Sequence, residues 1–220
     1  LGSLDTVAVQ FVVTASQTIT NSEYSVTANG GFVAIGQTPV VTIVSETFCG
    51  MVSEIPSSEC EALSTLYNST MGSNWIRHTG WLDTISPCSW YGVTCEGGHV
   101  TQISLVDNQL EGSIPLKLSD LPNLQALYLQ NNRLGGSIPV ELRSLANLHW
   151  LLLQNNALNG DIPGSIADLT ALELLDLGYN SLTASDPAVI SFLDSYDPDW
   201  SITQTVPPMG LRTTSVTVDT

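Results

Sequence analysis

The sequence predicts a solenoid, a right-handed β/3-10 horseshoe arc of four stacked coils with an N-terminal helical cap, preceded by part of a β-sandwich. Three observations predict it. Residues 100–195 write one 24-residue sentence four times: VTQISLVDNQLEGSIPLKLSDLPN, LQALYLQNNRLGGSIPVELRSLAN, LHWLLLQNNALNGDIPGSIADLTA and LELLDLGYNSLTASDPAVISFLDS. Each copy holds apolar residues in an L-x-x-L-x-L-x-x-N frame with an Asn at one fixed offset. Ahead of the copies, near residue 47, the texture changes from Val- and Thr-rich alternation to a stretch with four cysteines and three tryptophans. A period of this length with this frame is the pattern of a leucine-rich repeat, one coil per copy.

The frame assigns each coil its inside and outside. In a half-buried strand successive side chains alternate, so Leu124, Leu127 and Leu129 point in while Ala126, Tyr128 and Gln130 point out. Asn108, Asn132, Asn156 and Asn180 are inward and must bond backbone groups where the chain leaves the strand, because a buried amide without partners is costly. Stacked at one offset, they predict an internal polar ladder. A single coil cannot bury its own apolar edge, so the stack is the unit of stability.

Residues 47–99 are expected to lid the first coil. Ser58 and Glu61 stand at capping-box spacing before Ala62, Leu63, Leu66 and Tyr67, which predicts a helix over about 58–69 with an apolar stripe. Trp75, Trp81 and Trp90 read as packing over the first coil in preference to a carbohydrate-stacking platform. The cysteines fall as two local pairs, Cys49 with Cys60 and Cys88 with Cys95, which suits an oxidising compartment better than a metal site, although sequence alone leaves the other pairings open. His78, His99 and His149 complete no zinc spacing with them. Asn68 heads the one N-x-[ST] sequon, a candidate for glycosylation.

The flanks are read next. Residues 4–46 carry strand signals, DTVAVQFVVT, EYSVTA, GFVAIG and PVVTIVS, too few for an independent sandwich. The fourth coil replaces G-x-I-P by Ala184, Ser185, Asp186 and Pro187, so the spiral is expected to end there, with Tyr196 and Trp200 of segment 196–208 folded over it. Asp194, Asp197 and Asp199 read as a solvated acidic turn, their spacing not that of a calcium-binding loop. After Pro207 and Pro208, residues 209–220 alternate as a strand or the start of a further domain. The chain opens without a basic start or cleavage signal, as a mature product or a fragment would.

Composition narrows the partners. With 5 Lys+Arg against 21 Asp+Glu and a net charge of -16, nucleic acid and anionic lipid are disfavoured. No apolar run reaches the roughly 18 residues of a membrane span. No nucleophile elbow, H-E-x-x-H pair, P-loop or dinucleotide fingerprint occurs, so neither an enzyme nor a cofactor is expected.

The string PCSWYGVTC at the end of the cap, followed by repeats reading LxGSIPxxLxxLxxL, resembles the plant-type leucine-rich repeats and their N-terminal cap. Polygalacturonase-inhibiting proteins and receptor-kinase ectodomains carry them. The resemblance covers residues 57 to about 195. It implies a non-catalytic binding module, and a second small sheet on the flank formed by Gly112–Pro115, Gly136–Pro139 and Gly160–Pro163. The segment ECEALSTLYNSTMGSNW and the flanking strands resemble the same module in secreted bacterial proteins of many domains, and residues 1–46 resemble the closing strands of their immunoglobulin-like repeats.

The outward positions of the strands define the candidate site. Tyr128, Gln130, Trp150, Leu152, Gln154, Asp176 and Tyr179 make an aromatic and apolar patch ringed by amides and acid, the composition of an interface. The leading reading is an extracellular recognition module that binds a protein or glycan there. One alternative is a subunit of a fibre or surface layer, assembled head-to-tail with further copies of itself by strand addition between terminal β segments. The other, inhibition of a cell-wall hydrolase, rests on the resemblance alone.

Overall fold

The structure is a computed structural model and describes residues 48–204. The strands expected over 4–46 and 209–220 lie outside those residues.

The chain folds as a leucine-rich repeat solenoid with two sheets of mostly parallel strands. Its cap begins with a short turn, Phe48–Gly50, tied by the Cys49–Cys60 disulfide to helix α1 (Ser57–Ser69). Cys60, Ala62, Leu63 and Leu66 recur at helical spacing and are fully buried. The expected capping box does not form. Pro56 is the N-cap residue, and its carbonyl already takes the N–H groups of Glu59 and Cys60 at 3.0 and 3.1 Å, so Ser58 and Glu61 stay exposed within the first turns. Trp75, Trp81 and Trp90 are all buried, with successive ring centroids 5.0 Å apart. Each indole N–H reaches a backbone carbonyl, that of Thr70, Tyr91 and Thr84 respectively, so the rings pack the cap core and offer no stacking platform.

The cap also supplies an edge strand that the repeat frame does not announce. Strand β1 (Val93–Glu96) pairs antiparallel with β2 (His99–Ser104) through a two-residue turn, Gly97–Gly98, at φ 59° and 82°. Positive φ at both positions is the turn that suits the twist of a hairpin. The Cys88–Cys95 disulfide closes the loop beside it.

From β2 the sheet continues through β4 (Ala126–Tyr128), β6 (Trp150–Leu152) and β8 (Leu174–Asp176), in the order β1-β2-β4-β6-β8. The register steps by one repeat per strand, Gln102 to Ala126 to Trp150 to Leu174. A second sheet stacks β3 (Glu111–Ser113), β5 (Arg133–Gly136), β7 (Ala157–Asp161) and β9 (Ser181–Thr183). This flank sheet extends one coil further than expected, because β9 completes its pairing with β7 just before the sequence departs from G-x-I-P at Ala184. Short 3-10 turns at Leu116–Asp120, Val140–Ser144 and Gly164–Asp168 close the first three coils and bury Leu118, Leu142 and Ile166. The fourth coil closes instead with helix α2 (Pro187–Tyr196), whose N-cap Asp186 accepts the Ala188 N–H at 2.8 Å. Gly112, at φ +122°, lies where a Cβ would overlap the Ser69 carbonyl, so the first flank strand meets the end of α1 only through a glycine.

The asparagine ladder forms and has one more rung than the repeat count suggests. Asn132, Asn156 and Asn180 each accept one coil back, from the N–H of Leu110, Leu134 and Leu158, all at 3.0 Å. Their amide nitrogens donate to Leu105, Leu129 and Leu153 of the preceding coil and to the carbonyl three residues before themselves. Asn108, with no coil behind it, bonds the N–H and carbonyl of Arg77 in the cap. Gln204, one repeat beyond Asn180, takes the same role. It accepts the Leu182 N–H at 2.9 Å and donates to Leu177 at 3.0 Å and Trp200 at 2.8 Å. The solenoid therefore ends on a fifth rung, with Trp200 buried beneath it.

Candidate functional site

The open face of the five-stranded sheet presents four rows of side chains, because identical offsets in parallel strands fall side by side at a spacing of about 4.8 Å. The first row is Gln102, Ala126, Trp150 and Leu174, and the second Ser104, Tyr128, Leu152 and Asp176. The frame continues them with Val106, Gln130, Gln154 and Gly178, then with Asp107, Asn131, Asn155 and Tyr179. The fourth row is held in the left-handed region, φ 51–59°, where the backbone turns off each strand.

Tyr128, Gln130, Trp150, Leu152, Gln154 and Asp176 are half-buried on this face, and Tyr179 is 50% exposed at its edge, so all seven residues selected from the sequence share one surface. Leu174, 45% exposed, extends the apolar patch beyond them. Ala126 is outward in the frame yet only 1% exposed: its methyl sits in a row between the larger Gln102 and Trp150. The Trp150 ring lies 5.5 Å from that of His149, whose Nδ1 is 3.3 Å from Glu173. The Asn155 amide donates to Asn131 at 2.9 Å, whereas the side-chain carbonyls of Gln130 and Gln154 have no donor.

A wall closes the C-terminal end of the face. Gly178 is buried because Thr203 stands over it; a Cβ there would come within 2.9 Å of the Thr203 hydroxyl. The Thr203 carbonyl takes the Tyr179 N–H at 3.0 Å, continuing the backbone ladder past the last coil. The acidic turn expected to be solvated is partly structural: Asp194 accepts the Trp200 indole N–H at 3.1 Å and Asp197 the Leu177 N–H at 3.0 Å. Burial, with Asp176 and Asp199 nearby, pushes the Asp197 carboxyl above the usual carboxylate range, against the opposing pull of the Leu177 N–H. Among the described residues no group of three or more His, Cys, Asp or Glu side chains is placed to hold a metal ion.

Two features escaped the sequence. Ile76, Asp107, Gln109, Asn131, Arg133 and Asn155 line a shallow recess of about 420 Å³ at the edge of the fourth row. Glu59, 1% exposed, bonds His99 Nδ1 at 2.6 Å and the Val100 N–H at 2.8 Å, clamping α1 to β2. A Gly-Gly pair before His99 signalled the hairpin, but nothing local signalled that Glu59 would reach it. Asn68 is exposed in the last turn of α1.

Known proteins share this architecture. The leucine-rich repeat family profiles match residues 123–145 and 146–196. The receptor-like kinase TMK4 of Arabidopsis thaliana is 44% identical over 50 residues, 23% of this chain and 5% of its own length. The chain thus spans a small fraction of that relative's length. A plant ice-binding protein superposes with a TM-score of 0.57 at 28% identity, covering 63% of this chain and 46% of that one. The Arabidopsis receptor kinase HAESA, solved with the peptide hormone IDA and the co-receptor SERK1, superposes with a TM-score of 0.55 at 29% identity, covering 61% and 24%. The chain is a leucine-rich repeat solenoid with plant receptor-kinase ectodomains among its homologues.

Proposed function

We propose that the chain is an extracellular, non-catalytic recognition module that binds a protein or peptide through the open face of its five-stranded sheet. The observation that carries this reading is the placement of Tyr128, Trp150, Leu152, Leu174 and Tyr179 together on a solvent-facing surface, when the leucine frame has already filled the core. Exposed aromatic and apolar clusters of this kind mark interfaces. HAESA, a homologous ectodomain, is solved with a peptide hormone and a co-receptor, and the two disulfides suit an extracellular setting. No helix among the described residues is long and apolar enough to cross a membrane. In a glycosylating host the exposed Asn68 carries a glycan, which the intact mass of the secreted chain would reveal. The fibre reading rests on residues outside 48–204, and hydrolase inhibition gains no observation from this face.

The test is an array of extracellular peptides, proteins and glycans probed with the wild type and with Trp150→Ala/Tyr128→Ala in parallel. The proposal expects hits that the double variant loses while its thermal midpoint stays within a few degrees. Hits retained in full by a folded double variant reject it.

A further inference from the structure

The open face is strongly one-sided in charge. Its sixteen frame positions contain Asp107 and Asp176 but neither Lys nor Arg. Two of the four basic side chains among the described residues lie toward the first coils: Arg133 lines the recess beside Asp107 and Asn131, and Arg77, stacked on Tyr91 in the cap, lies close to Asp107. Lys117 pairs with Asp120 and Glu61, and Arg143 lies in a 3-10 turn. The acid without a basic neighbour is at the C-terminal end, where Asp176 on the last coil stands close to Asp197 of the wall, with Asp199 beside it; Glu173, on the same coil, pairs with His149. Beside them stand the most exposed apolar residues of this end of the solenoid, Leu174, Tyr179 and, in the wall turn, the 75% exposed Ile202.

Resting on the reading of this face as a recognition surface, we propose that its C-terminal end docks an extended cationic segment of polypeptide. A Lys or Arg side chain of the partner reaches Asp176 and the wall acids, and a neighbouring apolar side chain packs on Leu174 and Tyr179. Two features favour this occupant. A cation relieves the repulsion that Asp176 and Asp199 exert on Asp197. An extended chain offers alternating charged and apolar side chains at the spacing of a few strands.

The experiment uses the full 220-residue chain and three fluorescent dodecapeptides of one Gly/Ser framework, bearing two Phe with two Arg, two Gln or two Glu. Anisotropy titrations are run on the wild type, on Asp176→Asn/Asp199→Asn, on Asp161→Asn/Asp168→Asn, which removes the same charge from the flank and the outer turn, and on Trp150→Ala/Tyr128→Ala. The Arg peptide is expected to bind best, to weaken about five- to tenfold with the first pair and less than about twofold with the second, and to weaken as salt rises. Equal losses from both pairs overturn the proposal by reducing the binding to general attraction to an acidic protein. Equal binding of the Gln or Glu peptide, still abolished by Trp150→Ala/Tyr128→Ala, overturns it and leaves the recognition surface standing. If no peptide binds, this inference fails and the array result alone decides the broader reading.

Discussion

Truncating one rung of the internal ladder should cost far more than truncating its neighbour in sequence. The Asn156 carbonyl accepts the Leu134 N–H at 3.0 Å, and its amide donates to Leu129 and Leu153 at 3.0 Å each. In Asn156→Ala the Leu134 donor is left buried without a partner, worth about 1–3 kcal/mol, and two carbonyl bonds are lost at about 1 kcal/mol each, so the variant should lose about 3–5 kcal/mol. Asn155 is exposed and makes a single side-chain bond, to Asn131, so Asn155→Ala should cost below about 0.5 kcal/mol. Asn156→Asp preserves the shape but sets a carboxylate against carbonyl oxygens. It should be strongly destabilised at neutral pH and partly recover as acid protonates it, because protonation relieves a charge that only the folded state buries. Urea unfolding followed by tryptophan fluorescence reads all three. Equal losses in Asn155→Ala and Asn156→Ala, or an Asn156→Asp variant as stable as wild type at pH 7, would refute the ladder as a source of stability.

Three further outcomes follow from the cap and the wall. Removing the Cys49–Cys60 bridge with Cys49→Ser/Cys60→Ser frees a loop of sequence separation 11 and should lower stability by about 3 kcal/mol, read in the same urea titration; an unchanged midpoint contradicts it. Glu59→Ala strands the Val100 N–H and the His99 ring, and should lower stability by about 2–4 kcal/mol, a loss that Glu59→Gln only partly recovers; a loss below 1 kcal/mol in the alanine variant would mean that the clamp is idle. The Asp197 carboxyl is raised in the folded state by burial and then by Asp176 and Asp199, so its ionisation penalises the fold. Stability from this group is therefore highest in acid and falls as pH rises from the ordinary carboxylate range through the raised folded value. Asp197→Asn, which keeps an oxygen for the Leu177 N–H, should gain on wild type across that window and hold the gain at neutral pH; parallel curves would contradict the shift.

Legibility in the sequence followed distance along the chain. The coils, the inward asparagines and the shared face of Tyr128, Trp150 and Leu152 were readable because a strict 24-residue offset converts directly into neighbouring strands. Cap burial was readable as well, since three tryptophans over an open solenoid end have an apolar surface to cover. The fifth rung was hidden because Gln204 follows no leucine frame, although it stands one period after Asn180 and its extra methylene still reaches the same carbonyl. Strand β1 lies ahead of the repeat frame, and the Gly97–Gly98 turn is the one local mark of its pairing with β2. Ser58 and Glu61 fit the capping pattern, yet Pro56 had already satisfied the helix start. Burial of Glu59 and coverage of Ala126 depend on residues brought in by tertiary packing, which no local pattern encodes.

The recognition surface can be tested through one side chain. Trp75, Trp81, Trp90 and Trp200 are buried, whereas Trp150, the remaining one of the five tryptophans, is half-buried on the open face. Acrylamide quenching should therefore find a readily accessible fraction that Trp150→Phe removes. For any binder recovered from the array, saturation should shield that fraction while the buried tryptophans stay unchanged. Full occupancy with Trp150 still quenched as in the free protein would place the binder elsewhere and contradict the assignment of this face.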